Sequence, residues 1–274
     1  MKPRTTAKTR RWGQHFLADS KVLKKIVRVI DPQAEDLIIE IGAGKGALTF
    51  PLAQKARAVI AIEKDRELVP VLERGKLDNL KIVEKDVLRV DFKELVAAAA
   101  SRTDRVKIVG NLPYSISSPL MFKMLEDKGL FPRCVFLVQK EVAERICAQP
   151  GSKKYAPLSI LVHNYFSARV HCLVHPGSFS PPPRVESALI SLERRASPLF
   201  EIPDEPLFLK FLQEAFRHRR KILLNNLRKS RFLPNLVQAA YEALSLPRTA
   251  RPEELSLEQF VRLFNLLEAS QIPC

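Results

Sequence analysis

Leu37-Ile38-Ile39-Glu40-Ile41-Gly42-Ala43-Gly44-Lys45-Gly46 is a short apolar run that passes straight into a glycine-rich turn. Apolar residues at both odd and even positions predict a strand buried on both faces, as in a parallel sheet. Glycines at alternate positions let the backbone pass close to a ligand and offer it the amides of a following helix. The spacing excludes a P-loop, which needs Gly-Lys-Ser/Thr further on, but it partly fits a dinucleotide fingerprint with Ala47 in the third small position. A helix from about Ala47 to Ala56 and a second strand at Ala58 to Ile62, closed by Glu63, complete the first strand–helix–strand unit.

The same alternation extends in both directions. Upstream, Asp19-Ser20 is a cap for a helix that places Val22, Leu23, Ile26, Val27 and Ile30 on one face and stops at Asp31-Pro32. Downstream come a helix over Asp65 to Arg74, a strand at Leu80 to Val83, the turn Glu84-Lys85-Asp86 and an Ala-rich helix from Phe92 to about Ala100. A fourth strand, Val106 to Gly110, leads into Asn111-Leu112-Pro113-Tyr114. A helix from Ser117, a strand at Cys134 to Val138 and a helix at Lys140 to Ala148 follow. This rhythm predicts an α/β fold, a mostly parallel sheet covered on both faces with its ligand at the strands' C-terminal ends. Arg169 to Val174 and Val185 to Leu192 break the rhythm. The Pro-rich segment His175 to Pro183 between them suits an antiparallel pair rather than a crossover helix. From Ser197 to Pro206 the chain reads as a linker. Beyond it Phe208, Phe211, Leu212, Ala215 and Phe216, then Ile222, Leu223 and Leu227, then Leu257 to Leu267 read as helices, the last with Ser256 and Gln259 at capping-box spacing. Two domains are expected: 1–196, with a basic arm and the sheet, and 197–274, small and all-helical.

The 274 residues carry a net charge of +15, which points to a polyanionic partner, nucleic acid before membrane. The positive charge is unmixed in two places. Lys2, Arg4, Lys8, Arg10 and Arg11 precede the first acid, and Arg217, Arg219, Arg220, Lys221, Arg228, Lys229 and Arg231 form a second block. Solvated faces usually mix signs, so these blocks favour nucleic acid. Cys134, Cys147, Cys172 and Cys274 lack metal or redox spacing, and the histidines are scattered, so no metal site is expected. Without a run of membrane length or a signal-peptide core, the chain is expected to be a reduced cytoplasmic protein. Nothing suggests an obligate dimer, and a monomer is expected.

The chemistry follows from the strand ends. Glu63 lies about twenty residues after the glycine turn, where a carboxylate can hold a ribose diol. That indicates an adenosine-type cofactor, either a nicotinamide dinucleotide or S-adenosylmethionine. Asp86, at the end of the third strand, can accept from an adenine amine and completes an adenosine-binding row. A dehydrogenase also needs a proton-transfer residue, and no histidine stands in an obvious place for one. Methyl transfer to an amine needs none, because positioning against a good leaving group suffices. Asn111-Leu112-Pro113-Tyr114 suits a flat base with an exocyclic amine: the amide and nearby carbonyls accept its hydrogens, and the Tyr ring stacks.

Taken in order, Gly13-Gln14-His15-Phe16-Leu17, Glu40 to Gly46, Asn111 to Tyr114, Phe179-Ser180-Pro181-Pro182-Pro183-Arg184-Val185-Glu186-Ser187-Ala188 and Phe216 to Lys221 with Asn225-Asn226-Leu227 resemble the KsgA/RsmA small-subunit ribosomal RNA adenine dimethyltransferases. The resemblance spans about Arg11 to Leu267. It implies a class I, Rossmann-like methyltransferase fold and transfer of methyls from S-adenosylmethionine to the N6 amines of two adjacent adenosines in a terminal hairpin of small-subunit rRNA. By position it implies that His15, Leu17, Gly42, Gly44, Glu63, Asp86 and Asn111 line the cofactor site. Asn111 and the Leu112 carbonyl, followed by Pro113, would hold the target amine, with Tyr114 stacked on the flipped adenine and Phe179 closing the other face. The helical domain with Arg217 to Lys221 would meet the small ribosomal subunit. His15 departs from a common Asn and Glu186 from a commoner Asp. Large-subunit rRNA dimethylases tend to have Ile at the position of Leu112 and a smaller C-terminal domain, so they fit less well. A non-catalytic RNA-binding assembly factor is the rival from another class.

Overall fold

The computed structural model describes residues 14–99 and 105–269. The basic arm through Arg11, Trp12, Gly13, Ala100 and Cys274 lie outside the described residues. The chain divides into two compact units. The first runs to Ala143 and includes Phe166–Arg195; the second comprises Glu144–Tyr165 and the chain from Ala196 onward.

In the first unit β1 (Phe16–Leu17) precedes α1 (Ser20–Ile30), and β2 (Leu37–Ile41), β3 (Ala58–Glu63), β4 (Leu80–Glu84), β5 (Val106–Asn111) and β6 (Arg133–Gln139) alternate with α2 (Thr49–Ala53), α3 (Val69–Glu73), α4 (Phe92–Ala98) and α5 (Ser117–Glu126). α6 (Lys140–Ile146) follows β6. After α7 (Pro157–Tyr165), β7 (Phe166–Val174), β8 (Phe179–Ser180) and β9 (Ser187–Arg194) return to the first unit. The sheet order is β4-β3-β2-β5-β6-β9-β7. The first five strands are parallel, and β9 runs antiparallel to both β6 and β7. β2 lies near the centre with every residue buried, which is why its sequence is apolar without alternation. Gly110 brings β5 against β2: a Cβ there would lie 2.5 Å from the Ile41 carbonyl oxygen, so any larger residue would push the strands apart. The antiparallel end was legible in the sequence. β8 was not: it pairs Phe179 with Leu17 and Ser180 with Phe16 in a two-stranded ribbon, too short for any period to register.

α1 begins where expected, with Asp19 accepting from the Lys21 and Val22 amides. α2 and α3 start later than the sequence suggests, at Thr49 and Val69 instead of Ala47 and Asp65. Pro51 and Pro70 account for this, because proline is accommodated in a helix's first turn.

The second unit packs α7 with α8 (Glu205–Ala215), α9 (Leu223–Leu227), α10 (Pro234–Ala243) and α11 (Leu257–Ala269). Phe208, Phe211, Phe260 and Phe264 form its aromatic centre, with Phe211 and Phe264 centroids 5.5 Å apart. The sequence predicts a single boundary, at 196; compactness also assigns Glu144–Tyr165 to this unit. The reason is a set of polar ties. Asn164 Nδ2 donates to Phe200 O at 3.0 Å and its Oδ1 accepts from Phe200 N at 2.9 Å, Tyr165 donates to Glu205 at 2.7 Å, and Gly151 N donates to Glu253 O at 2.7 Å. The sequence carries no periodic signal for α7, because Leu158 to Val162 are all buried, which leaves no polar face to set a period. Arg217 to Arg220 form an exposed turn rather than a helix face. Arg219 is tied down, donating to the carbonyls of Lys153 and Tyr155. Asn226 secures the same turn by donating to Ala215 O at 2.7 Å and His218 O at 3.2 Å.

Candidate active site

The C-terminal ends of β2, β3, β4 and β5 meet at one cleft of the first unit. The glycine turn after β2 has left-handed backbone at Gly42 and Gly44, with φ of 70° and 58°. Gly44 N donates to Glu63 Oε2 at 2.8 Å, and Asp65 N donates to Glu63 Oε1 at 2.8 Å. Two backbone amides therefore hold the Glu63 carboxylate in one orientation at the end of β3. A side chain at Gly44 would crowd the Phe16 ring, at 3.2 Å. Asp86 ends the β4 turn. Its Oδ1 caps Leu88 N at 3.1 Å and its Oδ2 pairs with Lys64 Nζ at 2.8 Å. The Lys64 contact, above all, holds the Asp86 carboxyl below the usual range, so it stands as an anion.

Two hollows open here. One, of about 320 Å³, is lined by His15, Leu17, Gly42, Gly44, Glu63 and Asn111 to Tyr114. The other, of about 170 Å³, is lined by Lys64, Asp65, Asp86 and Val87. Gln14, Gly42, Glu63 and Pro113 border both, so they form one cleft that runs from Asn111 to Asp86. The seven residues expected to line the cofactor site, His15, Leu17, Gly42, Gly44, Glu63, Asp86 and Asn111, thus border this cleft.

Asn111 sits at the last position of β5. Its side-chain nitrogen donates to the His15 carbonyl at 2.8 Å. Among the described residues its Oδ1 has no hydrogen-bond partner. Leu112 is buried and its amide donates to Leu137 O at 3.0 Å, which fixes the turn into Pro113. The Tyr114 hydroxyl bonds Ser187 Oγ at 3.0 Å, and its ring lies 5.5 Å from the His15 ring, tilted by 34°. Burial raises the Tyr114 pKa, so the phenol stays neutral. His15 Nδ1 lies 2.8 Å from the Pro181 carbonyl. Glu186, one of the departures from the family pattern, ion-pairs with Lys140 at 2.9 Å.

Phe179 pairs with Leu17 across the β1–β8 ribbon and is 4% exposed, packed in the core cluster with Val174, Leu189 and Ile26, the last of which lines the larger hollow. Phe16, packed against Gly44 of the glycine turn, lines the cleft, with Lys45 Nζ 5.0 Å above its ring.

Glu40 was missed as a site residue. It lines the larger hollow, is only 2% exposed, and its Oε2 has no hydrogen-bond partner among the described residues. Burial, opposed by nearby Thr49 and reinforced by the Glu63 charge, raises its pKa to about 7. Its signal in the sequence is a carboxylate inside an otherwise apolar buried strand, a costly placement. An unpartnered buried carboxylate beside the fixed Glu63 suits a ligand with cationic groups. Asp86 at the far end suits a base amine. S-adenosylmethionine, with a sulfonium and an ammonium at one end and adenosine at the other, fits this donor set.

Comparison with known proteins places this cleft in a family. A profile described as "Ribosomal RNA adenine dimethylase" matches residues 5–269. A protein from Caldanaerobacter subterraneus subsp. tengcongensis named ribosomal RNA small subunit methyltransferase A is 41% identical over 94% of this chain and 96% of its own length. A protein of the same name from Clostridium acetobutylicum is 38% identical over 93% of this chain and 92% of its own. A dimethyladenosine transferase from Plasmodium falciparum superposes with a TM-score of 0.80 at 27% identity, covering 94% of this chain and 99% of that one. The 23S rRNA methyltransferase ErmE gives 0.69 at 24% identity over 92% and 99%, and shares the fold. The α/β unit, with parallel strands, an antiparallel end and a helical C-terminal unit, is therefore the Rossmann-like methyltransferase fold, and the chain belongs to the ribosomal RNA adenine dimethylase family, within its KsgA/RsmA small-subunit group.

Proposed function

We propose that this protein uses S-adenosylmethionine to dimethylate the N6 amines of two adjacent adenosines in the terminal hairpin loop of small-subunit rRNA during ribosome biogenesis. The observation that carries the reading is the state of Asn111. Its nitrogen is committed to the His15 carbonyl, so a lone acceptor oxygen stands at the end of a carboxylate row and next to an aromatic ring. Relatives named for the small subunit favour that substrate over large-subunit rRNA.

When bound, S-adenosylmethionine supplies a methyl group on a positively charged sulfur, which makes a strong base unnecessary. His15, Leu17, Gly42, Gly44, Glu63 and Asp86 would hold it, with Glu40 facing its cationic end. The target adenosine is extruded and stacks on Tyr114. Asn111 Oδ1 accepts one N6 hydrogen, which turns the nitrogen lone pair into the cleft. The cationic nitrogen formed by transfer sheds its other hydrogen as a proton to water. A monomethylated amine still carries one N–H, so the same oxygen can hold it for the second transfer. Arg217, Arg220 and Lys221 in the exposed turn of the helical unit are candidates for contact with the small subunit or its precursor. The enzyme would act in the cytoplasm as a monomer.

The test is incubation of purified protein with labelled S-adenosylmethionine and undermethylated small subunits, followed by identification of the modified nucleotides. Dimethyladenosine in the terminal hairpin is expected. Label in large-subunit rRNA instead, or none in either, overturns the assignment.

A further inference from the structure

α1 has two distinct stripes. Leu23 and Ile26 face inward and line the larger hollow of the cleft. Lys21, Lys24, Lys25 and Arg28, at i, i+3, i+4 and i+7, form one outer stripe, and all four are exposed. The helix contains no acid, and none of the four cations has an ion pair among the described residues. The stripe runs about 10 Å at 1.5 Å per residue.

The acids around it are otherwise engaged or lie at its end. Asp19 caps the helix and accepts from Ser178 at 3.2 Å, Asp36 pairs with Lys107 at 2.6 Å, and Glu193 pairs with Arg133 at 3.2 Å. Asp31 and Glu35 are exposed just beyond the C-terminus. Arg133 also donates to Val29 O at 2.6 Å, which pins the helix over β6. On the edge strand β7, exposed Arg169 lies opposite Ser191, and Ser191 Oγ is 2.8 Å from His171 Nε2. Burial first, then the charges of Arg169, Arg133 and Lys25, lowers the His171 pKa, as expected where positive charges gather without compensation. A solvated helix face would ordinarily mix signs, as the outer faces of soluble helices do.

We propose that the outer stripe of α1, together with Arg169 on β7, is a phosphate-binding track for the substrate RNA on the same unit as the cleft. This rests on the reading of the protein as an RNA adenine methyltransferase. A helix whose inner face roofs the cleft and whose outer face grips phosphates would hold the strand flanking the extruded adenosine, independently of the helical unit. Phosphate contacts fix register and orientation and read no sequence.

The experiment compares the wild-type chain with the triple variants Lys24→Glu/Lys25→Glu/Arg28→Glu and Lys24→Gln/Lys25→Gln/Arg28→Gln. Binding of a synthetic RNA hairpin is measured across a salt series, S-adenosylmethionine affinity by calorimetry, and kcat and KM on undermethylated small subunits. For the Glu variant, hairpin affinity is expected to fall at least tenfold at about 0.1 M salt. The slope of log affinity against log salt should flatten by about 2, since each single-strand phosphate contact contributes roughly 0.7. KM for subunits should rise, with cofactor affinity and kcat at saturation unchanged. The Gln variant should show the same slope change with a smaller affinity loss, and it serves if the Glu variant does not fold. Wild-type slope and affinity in both variants overturn the track, as does loss of binding to anionic lipid vesicles with RNA binding intact. If wild-type protein binds the hairpin but yields no dimethyladenosine, the enzymatic reading fails while the salt series still decides the track.

Discussion

The Asn111 side-chain nitrogen donates to the His15 carbonyl oxygen at 2.8 Å, so the strand β5 end and the segment before β1 together aim the Asn111 oxygen. Asn111→Ala should therefore leave S-adenosylmethionine affinity within a few-fold and lower single-turnover methyl transfer by on the order of 100-fold, the cost of a misplaced reacting group. Calorimetry and single-turnover assays separate the two. Equal loss of both would make Asn111 a cofactor or folding residue.

Glu40 provides a pH dependence. Its pKa rises from 4.5 in the unfolded chain to about 7 in the fold, so the folded state holds the proton more tightly. Stability therefore falls as pH rises from about 4.5 to about 7, and the full cost is present above that. With about 1.4 kcal/mol per pK unit, that cost is up to ~3 kcal/mol. Glu40→Gln should raise the melting temperature of the ligand-free protein at pH 8 and change it little at pH 4.5, while weakening S-adenosylmethionine binding at pH 8. Identical melting shifts at both pH values would remove the ionised carboxylate from the account.

Tyr114 joins a ring and a hydroxyl with separate tasks. Tyr114→Phe keeps the ring and loses the Ser187 bond, so activity should fall less than tenfold. Tyr114→Ala removes the stacking face, worth about 1–3 kcal/mol per base, and should cut kcat/KM by roughly 10- to 100-fold with cofactor affinity preserved. Steady-state kinetics on subunits distinguish them, and equal effects would assign the role to the hydroxyl.

Arg219 and Arg220 are neighbours with opposite expectations. Arg219 donates to the Lys153 and Tyr155 carbonyls, so Arg219→Ala should destabilise the helical unit by about 1 kcal/mol in urea unfolding. Arg220→Ala should leave unfolding unchanged and weaken subunit binding. The reverse pattern would assign the RNA contact to Arg219.

Much of this was legible in the chain. The apolar run Leu37 to Ile41 reads as a strand buried on both faces, and Gly42, Glu63 and Asp86 recur at successive strand ends, so local pattern alone was enough to bring them to one cleft. Asn111 to Tyr114 was legible because proline stops the element at the strand end. α7 was not, because a helix buried all round has no polar face. The burial of Phe179 was not legible for a related reason: an aromatic beside a Pro-rich segment looks the same whether it is open to solvent or packed in a core, and only its pairing with Leu17 decides.

The sequence by itself therefore determined the α/β order, the antiparallel end, the carboxylate series and the amide–aromatic pair, all set by spacing along one strand or one turn. Tertiary structure alone decided that Glu40 stands unpartnered at the cleft, that His15 orients Asn111, that Phe179 turns inward, and that Glu144–Tyr165 belongs with the helices. Each of these depends on contacts between segments far apart in the chain, where burial and hydrogen-bond partners come from residues that no local period encodes.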